Sequence, residues 1–153
     1  MIYKQKVTIK NVQYLEVVSE FQNLKFIKFL IRWQPVKIIK WNGIYNNDKA
    51  HFKFWLLKWH NFKVVHQLYN FNEEHLSFED KGTKLPLGLK SWNHKHKVVR
   101  AVNSVIITDN ISFSHNYYFM GFILYPILIF PILLRRLLYK KYFRSKKYVY
   151  SNC

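Results

Sequence analysis

Lys4, Lys6 and Thr8 interleave with Val7 and Ile9 across residues Met1 to Asn11. This period of two predicts a β-strand with one wet face. From Val12 to Leu30 the spacing changes: Leu15, Val18, Phe21, Leu24, Ile27 and Leu30 recur at three and four, the helical period, and Asn23 is available as a cap in the middle. Two short helices meeting near Gln22-Asn23 are therefore expected, and Pro35 closes that region. Six strand-like runs follow: Val36 to Tyr45, Ala50 to Leu57, Phe62 to Asn70, His75 to Asp80, Leu89 to Val102 and Val105 to Phe113. Turn-forming groups separate them, namely Asn46-Asn47-Asp48, Lys58-Trp59-His60-Asn61, Asn72-Glu73, Lys81-Gly82 and Asn103-Ser104. The spacing is that of an antiparallel meander. Within the second run Phe52, Phe54 and Leu56 share a face and are expected in the core, with Trp55 on the opposite side.

After Phe113 the character changes again. Residues 117–134 form a strongly apolar segment of 18 residues without a charge, and Arg135, Arg136, Lys140, Lys141, Arg144, Lys146 and Lys147 crowd the tail behind it. As a straight helix the segment would measure roughly 27 Å, close to the thickness of a bilayer's hydrocarbon. Pro126 and Pro131 argue against a straight span, because an interior proline removes a hydrogen bond and kinks the axis. The expected terminal helix starts near one of those prolines, with Tyr117 to Tyr125 a connection packing over the mouth of an internal cavity. Leu134, Leu137, Leu138 and Tyr142 then face the sheet, while Arg135, Arg136, Lys140 and Arg144 stay wet. Strand, helix pair, six strands and terminal helix make an α+β plan, a curved antiparallel sheet wrapped around a long C-terminal helix. No internal repeat or linker interrupts residues 1–153, which read as one domain.

Composition narrows the function classes. Half of the chain is hydrophobic and 19% is aromatic, which excludes a disordered chain. The single cysteine, Cys153, cannot form an intramolecular bridge, which excludes a disulfide framework and points to a reducing, cytoplasmic setting. Against 8 acidic residues stand 25 basic ones, a formal charge of +17 that attracts phosphates and anionic lipid non-specifically. An anionic membrane surface, met through the basic C-terminal tail, is thus one expected partner. No nucleic-acid motif accompanies the charge, so no specific nucleic acid is expected.

One stretch carries more information. Leu85-Pro86-Leu87-Gly88-Leu89-Lys90-Ser91-Trp92-Asn93-His94-Lys95-His96 is followed by Val105-Ile106-Ile107-Thr108-Asp109. It resembles the ligand-binding branch of the START/polyketide-cyclase superfamily (SRPBCC), in which a W-x-H-x-H strand precedes a strand ending in aspartate. Arg136 and Tyr139-Lys140 look like that branch's closing helix, and Asn23-Leu24 and Trp41-x-Gly43 sit where it tends to have similar residues. The resemblance implies the helix-grip fold, an incomplete barrel closing on a long C-terminal helix around an apolar cavity. It implies function only loosely, since the superfamily holds carriers, receptors and cyclases alike.

The residues also speak for themselves. On a strand, Trp92, His94, His96 and Val98 point one way while Ser91, Asn93, Lys95 and Lys97 point to water. In the next strand Asp109 shares an apolar face with Val105, Ile107, Ile111 and Phe113. If Asn103-Ser104 are the turn, Asp109 falls opposite Val98 and diagonal to His96 and Arg100. Three readings are open: a hydrogen-bonded polar pair inside a barrel, a cavity lining that orients an apolar ligand, or catalysis or metal binding by His94, His96 and Asp109. The expectation adopted is a binding site for a hydrophobic or amphipathic small molecule lined by Trp92, His94, His96, Asp109, Phe54 and Trp41, with no catalytic residue, metal or cofactor assigned. His60, His66, His75 and His115 read as surface or turn residues, and Glu79-Asp80 as solvated acids.

Overall fold

A computed structural model of the chain describes residues 1–150, with side chains through Ser145. Lys146, Lys147 and Cys153 therefore lie outside the described side chains. The elements run β1 (Ile2–Lys10), α1 (Tyr14–Phe21), α2 (Leu24–Ile31), β2 (Val36–Trp41), β3 (Lys49–Leu56), β4 (Lys58–Phe71), β5 (His75–Lys84), β6 (Leu89–Ala101), β7 (Ser104–His115) and α3 (Tyr118–Tyr150). All seven strands join one antiparallel sheet in the order β1-β7-β6-β5-β4-β3-β2. The first strand thus closes beside the last, and α3 packs against the face they share.

Local chemistry explains most element boundaries. Asn23 ends α1 and caps α2, its side chain accepting from the backbone N–H of Lys25 at 2.9 Å. Period-two burial in β1 places Gln5, Val7 and Ile9 inside and Lys4, Lys6 and Thr8 outside. Lys58-Trp59-His60-Asn61 do not form the expected turn. They belong to β4, because the chain reverses within one residue at Leu57, whose φ is 60°. The β6–β7 turn is shifted by one residue as well: Ala101 pairs with Ser104, leaving Val102 and Asn103 at the tip. Asparagine tolerates the left-handed region better than most residues, and Asn103, at φ 51°, takes the second turn position instead of the first. Every pair along the hairpin moves accordingly, and Asp109 lies opposite His96, not Val98.

The terminal helix departs furthest from expectation. It starts at Tyr118 and runs through Pro126 and Pro131, so Tyr117 to Tyr125 is not a separate connection. Each proline removes the donor that would meet the carbonyl four residues earlier, at Phe122 and Ile127. Both residues are exposed, where water can satisfy those carbonyls. Leu124, Ile129, Ile132, Leu138, Tyr139 and Phe143 form the buried side of α3, whereas Leu137, expected against the sheet, is 64% exposed.

Two apolar clusters fill the space between sheet and helices. One gathers Phe21 and Phe26 of α1 and α2 with Val98, Ile107, Tyr139 and Phe143; the other gathers Val64, Trp92, Ile111, Phe113, Ile129 and Ile132. Phe26 is the hub of the first, fully buried and in ring contact with Phe21, Tyr139, Tyr142 and Phe143. Replacing it by alanine, Phe26→Ala, should cost about 3–5 kcal/mol, the range for losing a buried aromatic ring. Urea unfolding of the two proteins measures this directly, and a loss below about 1 kcal/mol would show that the α2–α3 contact collapses to fill the hole.

Candidate functional site

Between the two clusters the sheet carries a polar stripe. Cross-strand register builds it from two neighbouring rungs. His66 of β4 pairs with Asp80 of β5, which pairs with His94 of β6; Phe78 pairs with His96, which pairs with Asp109 of β7, which pairs with Gln5 of β1. All face the helix, because strand neighbours in register project to the same side. Arg135 and Tyr139, one turn apart on α3, descend onto the stripe from above.

Asp109 is the centre. Its side chain has no solvent exposure, and it accepts hydrogen bonds from Gln5 Nε2 at 2.9 Å, His94 Nε2 at 3.0 Å and Tyr139 Oη at 3.4 Å. His96 Nδ1 lies 3.1 Å and Arg135 Nη1 3.9 Å from the same carboxylate. The second carboxylate, Asp80, sits across the imidazoles: its Oδ2 is 3.1 Å from His96 Nε2 and 3.8 Å from His94 Nδ1, and its Oδ1 is 3.1 Å from His66 Nε2. The two imidazoles are thus held between two carboxylates, with ring centroids 3.8 Å apart.

Electrostatics separate the two histidines. Burial, helped by the neighbouring charge on His96, pushes the His94 imidazole down to about 4, so it is neutral at physiological pH. Burial also opposes charge on His96, but Asp80 and Asp109 outweigh it and raise its pKa. Burial by itself would raise both aspartates. The hydrogen bond from His94 and the closeness of His96 hold Asp109 well below the usual carboxylate range, and the closeness of His96 and His66 does the same for Asp80.

Beside the stripe lies a cavity of about 620 Å³ between the sheet and α3. Trp41, Phe52, Phe54, Phe62 and Trp92 line its sheet side, Ile127, Phe130 and Pro131 its helix side, and Asp80, His94, His96 and Arg135 its polar end. Of the six residues expected to line a site, Trp41, Phe54, Trp92, His94 and His96 reach the cavity, while Asp109 is sealed behind the imidazoles. Trp41 Nε1 and Arg135 Nε are buried donors without a hydrogen-bond partner among the described residues.

Several members of the site differ from the reading of the sequence. His66 is not a surface residue but 1% exposed, and Asp80 is part of the cluster, not a solvated acid. Arg135 turns inward instead of staying wet, and Arg100 is exposed and far from serving as the partner of Asp109. Gln5 carries no expectation from the sequence, and Tyr139 enters there only through the resemblance of the closing helix, with no place in the site. The signal for Asp80 was present in the alternation Leu76, Phe78, Asp80, and that for Gln5 in Gln5, Val7, Ile9, each setting one polar residue on an apolar face.

No protein-family model and no curated protein sequence matches the chain. Solved structures do. Norcoclaurine synthase from Thalictrum flavum, in complex with dopamine and hydroxybenzaldehyde, superposes with a TM-score of 0.65 at 15% identity over 95% of this chain and 87% of that one. A START superfamily protein from Mycobacterium smegmatis gives 0.63 at 8% identity over 94% and 97%, and protein Ms6760 from the same organism 0.67 at 4% over 95% and 92%. The chain has the START-like helix-grip fold. At such identities the likeness is one of architecture: seven antiparallel strands, two short helices after the first, and a long helix laid across the opening.

In this START-like domain the buried carboxylate predicts how stability varies with pH. The Asp109 pKa is lower folded than unfolded, so its contribution is complete above the ordinary carboxyl value of about 3.9 and is lost progressively as the pH falls from there toward the lower folded value. Asp109→Asn should therefore destabilise the domain by about 3 kcal/mol at neutral pH, in line with breaking a buried charge pair. The difference from the unaltered chain should shrink by pH 3. Urea titrations at both pH values make the comparison, and an equal difference at each would mean that Asp109 acts by packing alone.

Proposed function

We propose that this protein binds an amphipathic small molecule in the cavity between sheet and C-terminal helix, without transforming it. The supporting observation is the division of the cavity wall. An aromatic and aliphatic lining occupies most of its volume, and charged or hydrogen-bonding groups gather at one end. A volume of about 620 Å³ lies within the range of small-molecule pockets. The two buried donors, Trp41 Nε1 and Arg135 Nε, favour a ligand that brings acceptor oxygens to the polar end, since buried donors are normally paired. Norcoclaurine synthase holds two aromatic molecules, which supports a ligand of comparable size here.

An enzymatic reading is the second one, favoured by His94, neutral at physiological pH, standing at the cavity end beside His96, whose pKa the two aspartates raise, a pairing of the kind proton transfers use. Binding is preferred because no serine, threonine, cysteine or lysine stands beside that pair among the described residues that line the cavity.

Titration with 1-anilinonaphthalene-8-sulfonate, an amphipathic fluorophore with an anionic group, tests the binding reading. One saturable site per chain is expected. Phe54→Glu, which places a carboxylate in the apolar wall, should weaken binding by about tenfold or more, equivalent to about 1.4 kcal/mol. Non-saturable binding, or equal affinity in the variant, counts against it.

The same helix supports a peripheral membrane association. Tyr118–Ser145 is long and apolar enough to cross a bilayer, but its inner face is committed to the sheet through Ile132, Leu138, Tyr139 and Phe143. Its solvent side exposes Tyr118, Phe119, Phe122, Phe130 and Leu133, with Arg136, Lys140, Lys141 and Arg144 beyond them. Apolar rings next to basic residues suit a helix lying in an anionic interface. Co-sedimentation with phosphatidylserine-containing vesicles is expected, and Phe119→Asp with Phe122→Asp should abolish it. Recovery of the unaltered chain in the supernatant at low salt removes the proposal.

A further inference from the structure

We infer that Asp80, His94 and His96 form a binding site for one divalent transition-metal ion at the polar end of the cavity. One ligand-type atom from each of the three lies within 4.8 Å of the other two. Asp80 Oδ2 stands 3.1 Å from His96 Nε2 and 3.8 Å from His94 Nδ1. Those separations bracket the edge of about 3.3 Å that a tetrahedral zinc site makes from bonds of about 2.0 Å to nitrogen and oxygen. The three groups also reach the cavity wall, so a fourth position opens toward the cavity instead of toward protein.

The far side of each imidazole strengthens the assignment. Asp109, a carboxylate with no solvent contact, faces His94 Nε2 at 3.0 Å and His96 Nδ1 at 3.1 Å. An ionised carboxylate only accepts hydrogen bonds, so it draws the ring protons to those two nitrogens. The opposite nitrogens, His94 Nδ1 and His96 Nε2, are then the ones left to ligate, and both point at Asp80. This is the carboxylate–histidine–metal arrangement, with one carboxylate orienting both ligands. Gln5 and Tyr139 hold Asp109 in turn, and His66 lies against the outer oxygen of Asp80.

Unmet bonding capacity provides an independent observation. Asp80 Oδ1 is buried and lacks a hydrogen bond among the described residues, the nearest donor, His66 Nε2, lying 3.1 Å away but out of line. A misaligned contact of this kind leaves the cluster under-satisfied by protein groups alone, and a cation on Asp80 would use the capacity directly. Two histidines and one carboxylate with an open position suit zinc, cobalt or iron(II) better than calcium or magnesium, which favour all-oxygen sites.

The site shares the cavity with the proposed organic ligand but does not rest on it, and the two are measured separately. The full chain, stripped with EDTA and carrying Cys153→Ser to remove the lone thiol, is titrated with zinc chloride by calorimetry and with cobalt chloride by visible absorption, no organic probe being present. One ion per chain is expected, with cobalt bands between about 500 and 650 nm of the intensity of a four- or five-coordinate nitrogen–oxygen site. Asp80→Asn, which keeps the shape of the side chain, should abolish stoichiometric binding. Asp109→Asn should weaken zinc by about 10- to 100-fold while leaving one site, the effect of losing an orienting partner. His60→Ala and His75→Ala should bind as the parent does. The assignment fails if zinc does not bind stoichiometrically, if a folded Asp80→Asn chain binds as the parent does, or if cobalt gives only the weak spectrum of the hexa-aqua ion. The cobalt spectrum of the parent needs no variant, so it decides the matter even if Asp80→Asn does not fold. Fluorophore binding by the EDTA-stripped chain reports on the organic site alone.

Discussion

An ionised carboxylate with no solvent contact must be met on every side by the protein. Asp109 is that group, and its partners come from three different elements: Gln5 from β1, His94 and His96 from β6, Tyr139 and Arg135 from α3. Left alone, such a charge would cost several kcal/mol or stay protonated. Satisfying it therefore couples three placements that packing alone leaves loose: the pairing of β1 with β7, the register of the β6–β7 hairpin, and the position of α3 along the sheet. Gln5 makes the coupling explicit, because its amide donates both to Asp109 and to the backbone carbonyl of Ile132 in α3, at 2.9 and 2.8 Å. The apolar clusters on either side provide most of the burial, and the carboxylate makes their arrangement unique.

The architecture was legible because it is written in periods. Alternation in β1, β6 and β7, three–four spacing around Asn23, and a terminal apolar run are each local signals, and the strands they predict match the structure to within a few residues. The inward row Trp92, His94, His96 was legible for the same reason. What escaped was information that exists only between strands. The turn at Val102-Asn103 differs from Asn103-Ser104 by one position, yet it moves Asp109 from beside Val98 to beside His96. His66 and Asp80 looked solvated because neither has a partner nearby in sequence; their partners are each other and His94, brought together by β4–β5 and β5–β6 pairing. Arg135 looked wet because it carries a charge, although Ile132 three residues before it and Tyr139 four after it are buried and put it on the same inner face.

Architecture and chemistry stand in different relations to known structures. Seven strands and a closing helix are shared with proteins that match this chain at 15% identity or less, among them a synthase and a START superfamily protein. That likeness is one of fold alone, so function has to be sought in the polar stripe. Its histidines have pKa values pushed in opposite directions though they are two residues apart, since one faces a single carboxylate closely and the other is flanked by two.

The order of strands has a consequence for how the molecule is made. Val7 of β1 pairs with Ile107 of β7, a hundred positions later, and α3 follows β7 in the chain. The first strand thus waits for its neighbour until the sheet is nearly complete, and the helix that covers the aromatic interior comes after that. Loop closure over such a separation is slow, and the partly formed sheet exposes both an unpaired edge and its apolar face meanwhile. The nascent chain can therefore complete its fold only after its helix has left the ribosome, and until then its many rings stay uncovered and open to association.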